Sequence, residues 1–492
     1  WAIWQAEERQ AAALDAVHSG GNPYPLPLHY IIAECIKGHG FPGAGLNRAH
    51  NLPLAGNPAQ DDAALAEFNQ GAAGLHVPPD MLVSLRQPFD RHDEEQRPRE
   101  RDHALTRRTV AALHPVTPAW LPAGGMASPM AAIDDLFCRI SAANPGHRVR
   151  IGNPDELASN RMPLTLARFR HRALDPEPGA AEALDGCVIT ALNEEAVVSA
   201  ALANKGGLNL VVSYEAFAVK MLGALRQEIL FARHQKEQKQ PPQWLALPLL
   251  LTSHTWENGK NEQSHQDTTL CEALLGEMSD TAVVRFPPDA NSALACLADS
   301  CRRRGEIHAL VVPKSMLPVV LTPDQATRLV ADGALLLAGS LTAPLLLIAV
   351  GAWQLDECRK ARQRLQARGH EAAVVVMLEP GRFRQPRDDI EAATLAPAAL
   401  RRQLAGDGLL GRQTRLLVCH ARPEPLLGVL TPLASSNRLH GLGYINRGGT
   451  LDAAGMLYAN RCSWLHILAR IADLHELSLP DLLTADELAA LH

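Results

Sequence analysis

Aromatic side chains are scarce, at 4% of the chain, and basic residues nowhere form a block that could track a phosphate backbone. Lysine and arginine number 47 against 53 acidic residues, a formal charge of −6 spread along the sequence. Nucleic acid is therefore not an expected partner. The nine cysteines (35, 138, 187, 271, 296, 301, 358, 419 and 462) contain no Cys-x-x-Cys pair and their total is odd. That fits reduced thiols better than a disulfide framework and points to the cytoplasm. A signal-peptide pattern is lacking, and so is an initiator methionine: the sequence starts at Trp1, and a segment upstream of it is expected. His-x-x-x-His spacing is absent, and the glycine cluster at 37–45 lacks the Gly-Lys-Ser/Thr ending of a phosphate loop. No protein-only metal site is expected.

Charge is also missing between residues 333 and 353, a run long enough to raise a membrane span. Gly339, Ser340, Thr342, Pro344 and Gly351 interrupt it, and residues 345–350 read instead as a strand buried on both faces of a parallel sheet. No membrane partner is expected. What is present in quantity is apolar surface, 47% of 492 residues, enough for several cores.

The pattern divides the chain. Residues 1–86 hold an amphipathic helix, the strand-like Tyr30-Ile31-Ile32-Ala33 and a glycine-rich stretch, and resemble the end of a domain that begins upstream. Residues 87–129 have linker chemistry: mixed charge, then Pro115, Pro118, Pro122, Gly124 and Gly125. From 130 to 322, short β-rich runs (186–192, 208–213, 244–252, 282–286, 307–312) alternate with helical ones (194–205, 215–235, 269–278, 291–303), which predicts an α/β domain with a parallel sheet and crossover helices. Asn193 is placed to cap the first helix and Gly206-Gly207 to end it. Residues 323–492 form a second α/β unit, with strands near 345–350, 372–377 and 415–419 and a closing helix at 456–474. No internal repeat is found.

Open parallel sheets bind ligands beyond the carboxyl ends of their strands. Here those ends are polar: Asn193-Glu194-Glu195, Ser213-Tyr214-Glu215, the long run 252–267, then Asp289, Asn291 and Lys314. Any one of these is an ordinary loop residue. Together they mark a site.

The same residues carry a resemblance. Ser-Tyr-Glu-Ala-Phe-Ala (213–218), Thr-Ser-His-Thr-Trp-Glu-Asn (252–258), Ser-His-Gln-Asp (264–267), Pro-Pro-Asp-Ala-Asn (287–291) and Gly-Tyr-Ile-Asn-Arg-Gly-Gly-Thr (443–450) resemble the phosphoketolases. So do Asn-Arg-Ala-His-Asn-Leu-Pro-Leu (47–54) and Asn-Pro-Asp-Glu-Leu-Ala-Ser-Asn-Arg (153–161). The resemblance implies a transketolase-like thiamine diphosphate fold and a homodimer. It also implies cleavage of xylulose 5-phosphate, and often fructose 6-phosphate, with inorganic phosphate to acetyl phosphate and an aldose phosphate. The magnesium and diphosphate ligands, a Gly-Asp-Gly segment and a later asparagine, are expected outside this chain. A transketolase-like two-carbon transferase and a non-catalytic dimerisation or binding module are the alternatives.

By motif position, Glu194 is the acid hydrogen-bonded to the cofactor pyrimidine, with Glu195 a first-turn helix glutamate; Tyr214 and Phe217 are the cofactor's aromatic neighbours. His265 and His50 are candidates for proton transfer on the substrate side, where an imidazole titrating near neutrality suits the chemistry. Ser159, Arg161 and Lys314 match phosphate contacts, Lys37 and Asn261 substrate contacts, and His254 shapes the loop. Two departures stand out: Lys260 replaces a histidine that many members carry, and Asn153 stands where glycine is usual.

Overall fold

The computed structural model describes residues 2–21, 32, 34–49, 54–94, 109–154, 156–406, 413–434 and 439–491. The chain divides into two compact units, Trp1–Arg107 and Arg108–His492, a division that falls within the stretch 87–129. In the first unit the helices are Ala2–His18, Asp62–Gly74 and Pro79–Glu94. Asp61 caps the second by accepting from the Ala64 amide at 2.9 Å. The strand expected at 30–33 lies outside the described residues, save Ile32.

Among the described residues the second unit holds two large sheets and a short antiparallel pair, Met126–Ala127 with Leu317–Pro318. In the first, β1 (Val149–Gly152), β2 (His171–Arg172), β3 (Glu182–Ala183), β4 (Val188–Ile189), β5 (Leu208–Tyr214), β6 (Leu247–Thr252), β7 (Ala282–Arg285) and β8 (Ile307–Val311) lie in the order β3-β2-β4-β1-β5-β6-β8-β7, all parallel. In the second, β9 (Ala334–Ala338), β10 (Leu345–Val350), β11 (Ala372–Met377), β12 (Thr414–Cys419) and β13 (Leu439–Leu442) lie in the order β9-β11-β10-β12-β13. Only β9 runs antiparallel. Every residue of β6, β10, β11 and β12 is buried, because helices cover both faces.

One apolar cluster runs from Met130 and Phe137 through Leu210 and Leu310 to Leu347, Val374 and Ile467, so both sheets share a core. Burying a leucine or isoleucine fully contributes about 1.5–3 kcal/mol. Ion pairs add cross-links: Arg285 Nε meets Glu379 Oε2 at 2.8 Å, and Arg233 holds both Asp280, ahead of β7, and Asp388, between β11 and β12.

Several expected boundaries are corrected. The run 186–192 forms a ladder only at Val188–Ile189, and Leu192 stands 93% exposed. The helix after Asn193 does begin with its cap, Asn193 Oδ1 accepting from the Ala196 amide at 2.9 Å, but it ends at Leu202, before the glycine pair. The run 215–235 is a 3-10 turn, Ala218–Met221, followed by a helix, Leu222–Glu237. The closing helix is two, Ala453–Ala459 and Trp464–His475, parted where Arg461 takes φ 57° and Asn460 bonds the loop 445–447. Within the uncharged run 333–353 the strand expected at 345–350 is present as Leu345–Val350, with β9 before it, and no helix among the described residues is long and apolar enough to cross a membrane.

Candidate active site

The carboxyl ends of β1, β4, β5, β6 and β8 lie side by side; Tyr214 ends β5, and the segments that leave the other four strands carry Ser159, Glu194, Ser253 and Lys314. These side chains touch in sequence. Glu194, at the first turn of its helix with its side chain 8% exposed, receives Lys220 Nζ on Oε1 at 3.2 Å. The same ammonium stands 5.1 Å above the Phe217 ring. Phe217 stacks on Tyr214 (6.2 Å, 25°) and meets His265 edge-on at 4.8 Å. Tyr214 Oη lies 3.1 Å from Ser159 Oγ, and Lys314 Nζ is 5.5 Å above the Tyr214 ring. Lys314 donates to Ser253 Oγ at 2.6 Å, and Ser253 donates to Asn160 Oδ1 at 3.3 Å. The structure thus brings together Glu194, Tyr214, Phe217, His265, Ser159 and Lys314.

Other expected residues stand apart. Asn261 is exposed and donates to Asn258 Oδ1 at 3.0 Å; Arg161 is exposed two residues beyond Ser159, and Glu195 faces solvent beside Glu194. Lys37 is exposed in the first unit, and His50 lies outside the described residues. Asn153 is buried and donates to the Val212 carbonyl at 3.0 Å, so it ties β1's exit to β5. Sequence reasoning missed Lys220, whose position in a helical turn gives no signal, and Ser253, which sits inside a recognised motif.

Backbone strain gathers here. Ser253 (φ 45°), Glu262 (φ 59°) and Arg161 (φ 63°) all occupy the left-handed region without being glycine. Each such residue costs about 1–3 kcal/mol and persists because surrounding contacts over-determine it. At Ser253 those contacts are the bonds with Lys314 and Asn160.

Beneath the loop 252–258 lies a buried polar cluster that spans both sheets. Glu215 accepts from His420 Nε2 on Oε1 at 2.8 Å and from the Thr255 amide on Oε2 at 2.9 Å. Burial alone would push the Glu215 carboxyl up, but the His420 imidazole, His254 and the Thr255 amide together hold it below its ordinary value. Burial holds the His254 imidazole low. His254 packs edge-on against His420 at 4.9 Å, so it is a wall of this cluster. Glu257 reaches the other way and accepts from the Lys314 and Ser315 amides at 3.0 and 3.1 Å, which fixes the exit of β8. Glu215, His254 and His420 offer ligand atoms within 4.8 Å of one another. Both Glu215 oxygens are already engaged, and no metal is assigned to them.

The expectation that no Gly-Asp-Gly occurs is corrected by the sequence itself: Gly406-Asp407-Gly408 is one. Gly406 ends the helix Ala398–Ala405 at φ 74°, and residues 407–412 lie outside the described residues. No site is assigned to the tripeptide.

Residues 131–303, which carry Ser159, Glu194, Tyr214, Phe217 and His265, match the sequence model of the D-xylulose 5-phosphate/D-fructose 6-phosphate phosphoketolase family. The resemblance is to the phosphoketolases. A probable phosphoketolase of Streptomyces coelicolor is 29% identical over 228 residues, 44% of this chain and 28% of that protein. One from Pseudomonas putida is 31% identical over 172 residues, 34% of this chain and 22% of that protein. The matched stretches therefore span less than a third of these phosphoketolases. Solved transketolases share the fold: that of Campylobacter jejuni has a TM-score of 0.55 at 15% identity over 87% of this chain and 60% of its own, and that of Pichia stipitis 0.52 at 16% over 87% and 56%. The chain has a transketolase-like α/β fold with a phosphoketolase-like segment at its centre.

Proposed function

We propose that this chain is part of a thiamine diphosphate-dependent phosphoketolase, a lyase that cleaves xylulose 5-phosphate, with fructose 6-phosphate as a second substrate. From xylulose 5-phosphate and inorganic phosphate it forms acetyl phosphate, a triose phosphate and water. The observation that carries this reading is Glu194, a carboxylate 8% exposed at a helix start and linked through Lys220 to Phe217, which in turn meets Tyr214 and His265. That donor set fits the pyrimidine half of the cofactor: a carboxyl for a ring nitrogen and aromatic faces for a flat ring. When bound, thiamine diphosphate supplies the electron sink that lets the carbon–carbon bond beside the ketose carbonyl break.

The protein's own groups do the rest. Glu194 holds and returns a proton at its side-chain oxygen, and His265, with His50, moves protons at substrate hydroxyls. Ser159, Arg161 and Lys314 bind phosphate groups as fixed hydroxyl and cationic donors, and Lys37 and Asn261 hold substrate hydroxyls. Magnesium and its ligands are assigned outside this chain. Exposed apolar residues at this edge, Leu192 at 93%, Met316 at 56% and Ile445 at 41%, support a homodimer in which a second copy covers it. The free thiols support a cytoplasmic enzyme.

One observation favours a non-catalytic reading: Lys220 already occupies Glu194 Oε1. The deciding assay joins this chain to the segment that supplies the magnesium and diphosphate ligands, gives the completed protein xylulose 5-phosphate, phosphate, thiamine diphosphate and magnesium without an aldose acceptor, and traps acetyl phosphate as its hydroxamate. Acetyl phosphate should form, Glu194→Gln should abolish it, and Glu195→Gln should be nearly silent. Two-carbon transfer only after an acceptor is added would make the protein a transketolase. No reaction in either assay would leave the non-catalytic module.

A further inference from the structure

The motif at 443–450 has no chemistry assigned to it, yet the loop that carries His265 rests on it. A Cβ built on Gly259 would stand 1.5 Å from the Leu451 carbonyl oxygen, so the two backbones approach as only glycine permits. One built on Gly448 would stand 1.7 Å from Gln266 Oε1. Hydrogen bonds run across the same contact: Gln263 Nε2 to the Asn446 carbonyl and Gln266 Nε2 to the Gly449 carbonyl, both at 3.2 Å, and Tyr444 Oη to the Gln266 carbonyl at 2.9 Å.

The support beneath is rigid. Tyr444 is fully buried, and burial pushes its phenol up to about 12, so it remains a donor across the neutral range. Asn460, 1% exposed, accepts the Ile445 and Arg447 amides at 3.0 and 3.2 Å and donates to the Arg447 and Met456 carbonyls at 2.6 and 2.9 Å. These bonds tie the turn at 445–447 to the end of the helix Ala453–Ala459. On the other side of the loop, His265 Nδ1 lies 2.9 Å from Ser264 Oγ and its ring meets Phe217.

We propose that residues 444–451 are a seat, contributed by the C-terminal part of the chain, that sets the His265 ring against Phe217, with Gly259 and Tyr444 as positioning residues acting through the backbone of 259–266. The consequence for proton transfer rests on the function proposed above; the seat itself does not. It makes the C-terminal sheet a determinant of the site, although the residues with chemistry come from the first sheet.

The test uses histidine-labelled protein, with the His265 Hε1 resonance assigned by His265→Gln, together with amide exchange. An imidazole held edge-on to Phe217 carries a ring-current shift that a structural change elsewhere would not move. Gly259→Ala should carry that resonance most of the way to its unstructured position. It should also speed exchange of the amides at 258–266 at least tenfold, while β5 and β6 stay protected. Tyr444→Phe, which keeps the ring and loses the bond to Gln266, should move both readouts in the same direction by less, and it decides the matter if Gly259→Ala fails to fold. Gly428→Ala, at a glycine with open space around it, is the control and should change neither. An unmoved resonance with unchanged exchange in Tyr444→Phe, or an equal displacement in Gly428→Ala, would overturn the proposal. Failure to form acetyl phosphate would overturn the function and leave these two readouts to judge the seat.

Discussion

Replacing His420 by alanine removes one partner of a bridge in which Glu215 is fully buried and His420 has a side chain 2% exposed. The carboxylate keeps one hydrogen bond, from the Thr255 amide at 2.9 Å. Breaking a buried pair in this way costs about 3–5 kcal/mol, because the charge left behind is uncompensated. The lost imidazole also packs against His254, Trp256 and Phe286, which favours the upper half of that range. At about 4 kcal/mol the unfolding constant rises roughly a thousandfold.

Urea titration followed by tryptophan fluorescence measures the cost. Trp256 is fully buried and donates to the His420 carbonyl at 2.9 Å, a contact that survives the substitution, so it reports unfolding of this region. The pH dependence has a fixed sign. In the wild type the Glu215 carboxyl is depressed, so its contribution is present above the ordinary glutamate range and disappears as pH falls through it. In the variant burial dominates and raises the carboxyl, so the destabilisation is greatest near pH 7 and shrinks as pH falls toward 4. Glu215→Gln combined with His420→Ala removes both partners and should be more stable than His420→Ala alone by about 1–3 kcal/mol. A cost under about 1 kcal/mol, or one independent of pH, would refute this account of the bridge.

Three further outcomes follow from the geometry. Ser253→Gly relieves the left-handed strain while losing the Lys314 and Asn160 bonds, whereas Ser253→Val loses the bonds and adds strain. The valine variant should be less stable by about 1–3 kcal/mol in urea titrations, and equal stabilities would contradict the role given to φ 45°. Glu391 would be raised by its burial, but Arg387 and the Ser279 and Arg387 amides hold it at about 2. Its contribution is therefore present above the ordinary glutamate range and lost as pH falls toward 2, so the stability gap between wild type and Glu391→Gln should close over that window. The Glu194–Lys220 pair has a lysine side chain 60% exposed. A double-mutant cycle with Glu194→Gln and Lys220→Met should give a coupling of at most about 1 kcal/mol that falls with added salt, and a larger, salt-independent value would mean the pair is sealed from water.

Much of the α/β architecture was written in local pattern. The runs at 208–213, 345–350, 372–377 and 415–419 are largely apolar and buried on both faces, and a parallel sheet covered by helices is where such strands fit. Asn193 capped its helix because a short side-chain oxygen before an apolar helix satisfies free amides wherever it occurs. Glu194, Tyr214, Phe217, His265, Ser159 and Lys314 were legible as motif residues, and the carboxyl-edge rule gave them a common address. The strand Val149–Gly152 went unread although it lies at the heart of the first sheet, since four residues with an arginine and a glycine carry no periodic signal.

Tertiary structure decided what connects distant residues. Glu215 and His420 are 205 positions apart, and nothing local in either requires the other; the docking of two sheets makes the bond. Lys220 reaches Glu194 from within the 3-10 turn Ala218–Met221, where the pattern predicted regular helix from 215 onward. Gly259 is ordinary in the sequence and needed in the fold, because the Leu451 carbonyl occupies the space of its missing Cβ. The chain's own pattern fixed periods, caps and burial, which depend on neighbours a few residues away. Contacts across hundreds of residues depend on how whole sheets pack, and only the folded chain holds that information.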